Sequence, residues 1–136
     1  MDRVPADRVV YADDGLYYLD DVPFTGVAFT EKDGALRSEA TYREGLQWGA
    51  TKEWYPSGQP MATSTFTQGA RHGRAREWHK NGQLAEDGEY EYGITLWTKQ
   101  WDENGVLEDD YTLTESDSDH QTLLRFRALY GEAQQP

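Results

Sequence analysis

Residues 49–66 read GATKEWYPSGQPMATSTF. Gly49 opens a short alternating run that ends in Trp54-Tyr55, a Ser57-Gly58 turn follows, and a second alternating run closes on Phe66. The stretch reads as one β-hairpin, and the chain repeats it. Gly34, Gly58, Gly82 and Gly105 occupy the same slot at spacings of 24, 24 and 23 residues, and a fixed period of that length marks a repeat array. The pairs Asp33-Gly34, Ser57-Gly58, Asn81-Gly82 and Asn104-Gly105 read as two-residue turns. Asn or Asp followed by Gly supplies positive φ at both central positions at least cost, and Ser57 is the weakest match. Gly45, Gly69 and Gly93 each stand eleven residues beyond a turn glycine and mark the passage from one hairpin to the next. The expectation is a continuous antiparallel meander.

Alternation assigns the faces. Counting back four from the turn glycines gives Trp54, Trp78 and Trp101; counting back six gives Lys52, Arg76 and Lys99. In a strand all six project to one side. On the returning strands the second residue after the glycine is Leu36, Pro60, Leu84 or Leu107, and the eighth is Tyr42, Phe66, Tyr90 or Leu113. The tryptophans are taken to share a face with the leucines, a matter that register decides.

Before the array, Val9, Tyr11 and Leu16–Leu19 flank Asp13-Asp14-Gly15, which reads as one or two lead-in strands with a tight turn. Pro23 precedes the first array glycine, Gly26, and suits a short or edge strand. After the array, Ser118-Asp119-His120-Gln121 reads as a capping box, with Leu123, Phe126, Leu129 and Tyr130 at helical spacing and Gly131 as the stop. One amphipathic helix of about twelve residues follows, able to cover part of the sheet. The fold class is therefore all-β: about four repeated hairpins over residues 26–113, lead-in strands over 1–25, and an acidic loop, capping helix and tail over 114–136, in a single domain.

The chain has 136 residues, no cysteine and a formal charge of −12. No disulfide or thiolate metal site is available. The excess of carboxylates argues against nucleic acid or an anionic membrane as partner, since both are polyanions. With no apolar signal core near the start and no run approaching the roughly 20 apolar residues that cross a bilayer, a cytoplasmic location is expected.

The pattern Gly-x4-Trp-x2-[Ser/Asn]-Gly-Gln in GATKEWYPSGQ and GRAREWHKNGQ, with LWTKQWDENGV behind it and Pro23-Phe24-Thr25-Gly26 ahead, resembles the variant MORN repeat found in YwqK-type antitoxin proteins. The likeness runs over roughly residues 15–113. Thr30 stands where the first unit should carry an aromatic, and Leu96 where the last should open with glycine, which suits ends adapted for capping. The resemblance implies a repeat sheet and a non-enzymatic protein that neutralises a toxin by binding it, or, alternatively, a general MORN-type interaction scaffold.

Candidate contact residues follow. Between Asp102 and Asp119 there are eight carboxylates and no Lys or Arg. Such a run is usually a solvated surface; the sharper reading makes Glu108, Asp109 and Asp110 a docking patch for a toxin with a basic surface. Trp54, Trp78 and Trp101 read first as sheet interior and second as an anchor row, with Lys52, Arg76 and Lys99 laid over the rings. His72, His79 and His120 show no metal-ligand spacing, and neither a nucleophile elbow nor a phosphate-cradling loop is present. No catalytic residue, cofactor or metal is expected.

Overall fold

The computed structural model describes residues 2–131. Period-two alternation broken by glycine produces β1 (Asp2–Pro5), a 3-10 turn at Ala6–Arg8, β2 (Val10–Tyr11), β3 (Tyr17–Leu19), β4 (Val22–Pro23), β5 (Gly26–Lys32) and β6 (Ala35–Arg43). There follow β7 (Leu46–Trp54), β8 (Pro60–Thr67), β9 (Ala70–Arg71), β10 (Gly73–Trp78), β11 (Leu84–Glu91), β12 (Ile94–Trp101), β13 (Leu107–Thr112) and α1 (Ser118–Tyr130). Ten strands form one sheet in the order β1-β5-β6-β7-β8-β10-β11-β12-β13, with β9 paired to β8; β2-β3-β4 form a second, small sheet. From β5 onward every pairing is antiparallel. The meander is thus as expected, with one addition: β1 joins it parallel to β5. Pro23 lies in the two-residue edge strand β4, where no ladder donor is missed.

Turn chemistry differs from the expectation at three of four hairpins. Only Asp33-Gly34 is a two-residue turn, with φ of 55° and 79°. At Ser57-Gly58 the Gly58 N–H donates to the Tyr55 carbonyl and the Tyr55 N–H donates to the Gln59 carbonyl, both at 2.9 Å. The loop is therefore three residues long, and only its glycine is left-handed (φ 91°). Asn81-Gly82 and Asn104-Gly105 repeat this geometry. In this loop Ser57 and Asn81 act as side-chain acceptors for the N–H groups of Gln59 and Gln83, so a hydroxyl serves as well as an amide. The two-residue turns are instead the passages between units: Glu44-Gly45, Gln68-Gly69 and Tyr92-Gly93, with φ near 50° then 80–87°.

Every returning strand carries a β-bulge two or three residues after its turn. Trp54 pairs with Pro60 while Glu53 pairs with Ala62, which leaves Met61 as the extra residue. Ala85, Glu108 and Arg37 are its counterparts. Each bulge reverses the alternation behind it. Trp54, Trp78 and Trp101 lie directly opposite Pro60, Leu84 and Leu107, as assumed, but Tyr42, Phe66 and Tyr90 emerge on the other face, opposite Gly26, Gly49 and Gly73. An aromatic ring across from a glycine fills the space its missing side chain leaves. Because the first hairpin has the shorter turn, its slot equivalent to Trp54 is Glu31, opposite Leu36, and not Thr30, whose hydroxyl bonds that of Ser38 at 2.6 Å. At the other end Leu96 is skipped in the pairing with β11, between Thr95 and Trp97, and its carbonyl accepts the Leu113 N–H at 2.8 Å, the backbone bulging at the slot where the inner units have glycine.

Buried apolar side chains gather at the sheet's two ends. Val4, Phe24, Ala28 and Tyr42 form the main core, closed by Tyr17 and Leu19 of the small sheet. At the far end α1 buries Leu123, and Phe126 and Tyr130 stack with Tyr92. Arg127 grips Glu91 with two bonds of 2.5 and 2.9 Å. The helix has its expected length and place, but its cap is different. Asp117 is the N-cap, its carboxylate is drawn to the Thr114 N–H at 2.9 Å, and no side chain caps the helix. Gly131 is right-handed (φ −54°) and is no left-handed stop. Residues 132–136, the rest of the expected tail, lie outside the described residues.

Candidate functional site

Between these two ends the sheet is a single layer. On its tryptophan side, direct cross-strand neighbours form one row: Glu39, Lys52, Thr63, Arg76, Asp87, Lys99 and Asp110. Beside it Trp54, Trp78 and Trp101 recur on every second strand. All three are half-buried, so the reading of these rings as core is not what the structure shows; the core lies at the ends. Lys52, Arg76 and Lys99 are exposed and share the tryptophan face, as the alternation requires. They do not cover the rings. Among the described residues the cations over rings are Arg3 on Phe29, Arg43 on Trp48, Arg71 on Tyr90 and Arg74 on Trp97.

Asp87 anchors the centre of this face and is only 8% exposed. The Arg74 fork donates two 2.7 Å bonds to its carboxylate and Arg76 Nε adds one of 3.3 Å. The hydrogen bond from Arg74 is the largest cause holding the Asp87 carboxyl below its usual range. The pair is diagonal, since the residue directly opposite Arg74 is Glu89. Next to it a groove of about 600 Å³ is bounded by Leu84, Trp97, Lys99, Trp101 and Thr112. Arg74, Asp87 and Trp97 were not singled out from sequence. The available signal was the opposite charge of Arg74 and Asp87 on strands flanking one turn.

Side chains just after the tryptophans lock unit to unit. The Tyr55 hydroxyl donates to the Trp78 carbonyl at 2.6 Å, and His79, in the next unit's equivalent slot, places Nε2 2.8 Å from the Trp101 carbonyl. A carbonyl only accepts, so His79 Nε2 carries the proton. His72 instead accepts from the Tyr92 N–H at 3.1 Å through Nδ1. These two histidines therefore have structural roles. Among the described residues no group of His, Asp and Glu is arranged to hold a metal ion.

The expected acidic triplet is spread out. Asp110 faces Lys99 on the tryptophan side, Asp109 faces Gln100 on the other, and Glu108 is the bulge residue between them and Leu107. All three are exposed on β13, the last strand of the sheet. They are charges along an open edge, which discourage pairing with a second copy. The opposite face carries another acidic group: Glu77 directly faces Glu86. Burial, and next the charge of Glu86, hold the Glu77 carboxyl above its usual range.

Residues 49–68 and 71–92 match the MORN repeat variant. Over these two segments the chain is similar to that repeat. The two matched segments are the inner units with Trp54 and Trp78, while the outer units, with Glu31 in the aromatic slot and Leu96 at the bulge, lie outside them. No curated protein matches the chain. Solved structures with some likeness include accessory secretory protein 1,2 and 3 of Streptococcus pneumoniae, 14% identical with a TM-score of 0.37 over 79% of this chain and 20% of that one. S. aureus TarM is 9% identical with a TM-score of 0.41, over 79% of this chain and 20% of that one. The GtfA/B complex is 13% identical with a TM-score of 0.36, over 85% and 27%. The chain thus spans about a fifth to a quarter of those chains, a likeness too slight to assign function. Among the described residues no helix is long and apolar enough to cross a membrane.

Proposed function

We propose that this chain is a non-enzymatic protein-binding module that acts in the cytoplasm as the antitoxin or immunity partner of a toxin, covering the toxin's working surface. MORN-variant repeats support protein interaction in general. The observation that carries the reading is the uncovered middle of the sheet, where a repeated tryptophan row stands beside exposed cations and a groove. Aromatic and arginine side chains dominate interface energies. The toxin part of the reading rests on the resemblance to YwqK-type antitoxins and on charge. A chain of −12 is drawn to a basic cleft of the kind that nucleic-acid-attacking toxins need, and carboxylates along β13 speed that encounter. Co-expression with the product of the neighbouring gene tests it. Rescue of growth by the wild type, lost in a variant that folds but no longer binds, is the expected result. A neighbouring product harmless by itself would leave a general interaction scaffold in place of an antitoxin.

A further inference from the structure

We infer that the tryptophan face binds an extended, polyproline-type segment of a partner polypeptide rich in carboxylates, laid across the strands with one turn per repeat unit. The inference deepens the protein-binding reading and rests on it. Three of the four units offer the same pair of groups, a half-buried indole and an exposed cation two residues before it: Trp54 with Lys52, Trp78 with Arg76, Trp101 with Lys99. The three pairs stand on β7, β10 and β12, each two strands from the next. Strands lie about 4.8 Å apart, so the pairs recur at about 9.6 Å. A polyproline helix has three residues per turn and rises about 3.1 Å per residue, so its side chains return to one side every ~9.3 Å. An α-helix returns every ~5.4 Å, or ~10.8 Å over two turns, and drifts out of step by more than 2 Å across three units. An extended strand returns every ~6.6 Å and fits worse.

Charge selects the sign of the segment. From β7 to β13 this face carries the cations Lys52, Arg74, Arg76 and Lys99 and the carboxylates Asp87, Glu89, Glu91 and Asp110, in a chain whose total is −12, and Glu91 is held by Arg127 of α1. Asp87 is occupied by Arg74 and Arg76. Neither Lys52 nor Lys99 makes an ion pair among the described residues. Their ammonium groups and the outer edge of Arg76 are therefore available to acidic side chains, while proline and aliphatic rungs lie on the indoles. The Tyr55 and His79 bonds to the backbone of the next unit's tryptophan fix the spacing before a ligand arrives, which lowers the ordering cost of binding.

The test uses the full chain and three synthetic peptides: (Glu-Pro-Leu)5, its charge reversal (Lys-Pro-Leu)5, and (Glu-Gly-Leu)5, which keeps the charges without the preformed backbone. Binding is read by tryptophan fluorescence and calorimetry. Saturable binding of the first peptide is expected, weakening with salt, with the glycine peptide about tenfold weaker and the lysine peptide not bound. The double variant Lys52→Gln/Lys99→Gln alters only exposed, unpaired side chains, keeps the fold, and should lose about tenfold or more in affinity. Equal binding of both charge types, equal binding of the glycine peptide, no binding of any, or an unchanged double variant would each overturn the inference. Rescue of growth by a chain that ignores (Glu-Pro-Leu)5 would sink this inference and leave the antitoxin reading standing. Peptide binding without rescue would do the reverse.

Discussion

At Gly26 and Gly82 the same residue type is needed for different reasons. A side chain at Gly26 would place its first carbon 2.4 Å from the Asp2 carbonyl oxygen and 2.9 Å from the Phe24 ring, whereas at Gly82 nothing lies within 4 Å and only the left-handed φ of 89° resists substitution. Gly26→Ala must therefore displace β1 and should cost about 2 kcal/mol or more, against about 1 kcal/mol of backbone strain for Gly82→Ala. Chemical denaturation of the two variants checks the order. Gly82 was legible in the sequence as a turn glycine, but the crowding at Gly26 was not, because it is created by the parallel strand β1, which no local pattern announces. Glu77 gives the second test at this scale. Its folded carboxyl titrates above the unfolded one, so the native state binds the extra proton and stability falls as pH rises through that window. Glu77→Gln removes the burial of charge and the repulsion from Glu86, and should raise the melting temperature at neutral pH while leaving it little changed in mild acid. Asp87 has the opposite sign, since its depressed carboxyl contributes stability that is present at neutral pH and lost as pH falls through its folded value. A melting-temperature profile that rises slightly from neutral into mild acid and then falls steeply is the expected outcome.

Elements were more legible than their joints. Period-two alternation and the 24-residue recurrence place the hairpins of β5 to β13, because each unit must present its own apolar slots at the same spacing. The loop type was hidden, since Asn-Gly and Ser-Gly serve a two-residue turn and a three-residue loop equally well, and one residue of difference moves the first unit's aromatic slot from Thr30 to Glu31. The bulges at Arg37, Met61, Ala85 and Glu108 were likewise invisible, for these four side chains have nothing in common. Their effect is large: without them Leu84 and Tyr90 would share a face. The helix α1 is held by one buried side chain, a ring stack and one exposed ion pair. Leu123→Ala should cost about 2 to 5 kcal/mol in docking of the helix. Arg127→Gln should cost no more than about 1 kcal/mol, because exposed ion pairs are weak. Amide hydrogen exchange over α1, compared with exchange in β7 and β8, separates local release of the helix from global unfolding. Protection lost over α1 alone is the expected pattern in Leu123→Ala.

For the molecule as a whole, the uncovered middle makes contact and stability separable. A half-buried indole contributes less than a core ring, so Trp78→Ala should cost about 1 to 3 kcal/mol of stability, below the roughly 3 to 5 of a fully buried tryptophan. The tryptophan row was readable as a row, but whether it was interior or surface depended on where the covers lie. Those are the small sheet at one end and α1 at the other, neither of which reaches Trp78 in sequence or by pattern. The acidic run was readable as a charged, solvated surface, but not the way strand alternation and a bulge send Glu108, Asp109 and Asp110 in different directions along one edge. A distributed edge charge makes its own kinetic prediction. Long-range steering depends on the total charge near the encounter surface and little on where each carboxylate points, whereas a bound ion pair depends on direction. Replacing Glu108, Asp109 and Asp110 by their amides removes three charges and no shape. With a basic partner the association rate at low salt should fall severalfold while the dissociation rate stays within about twofold, and the difference should shrink at 0.15 M salt, where the Debye length is about 8 Å. Stopped-flow association with the neighbouring gene's product at two salt concentrations reads both rates. A dissociation rate that rises while association is unchanged would place these carboxylates inside a contact, and unchanged rates would remove the β13 edge from the mechanism, leaving the tryptophan face to carry binding by itself.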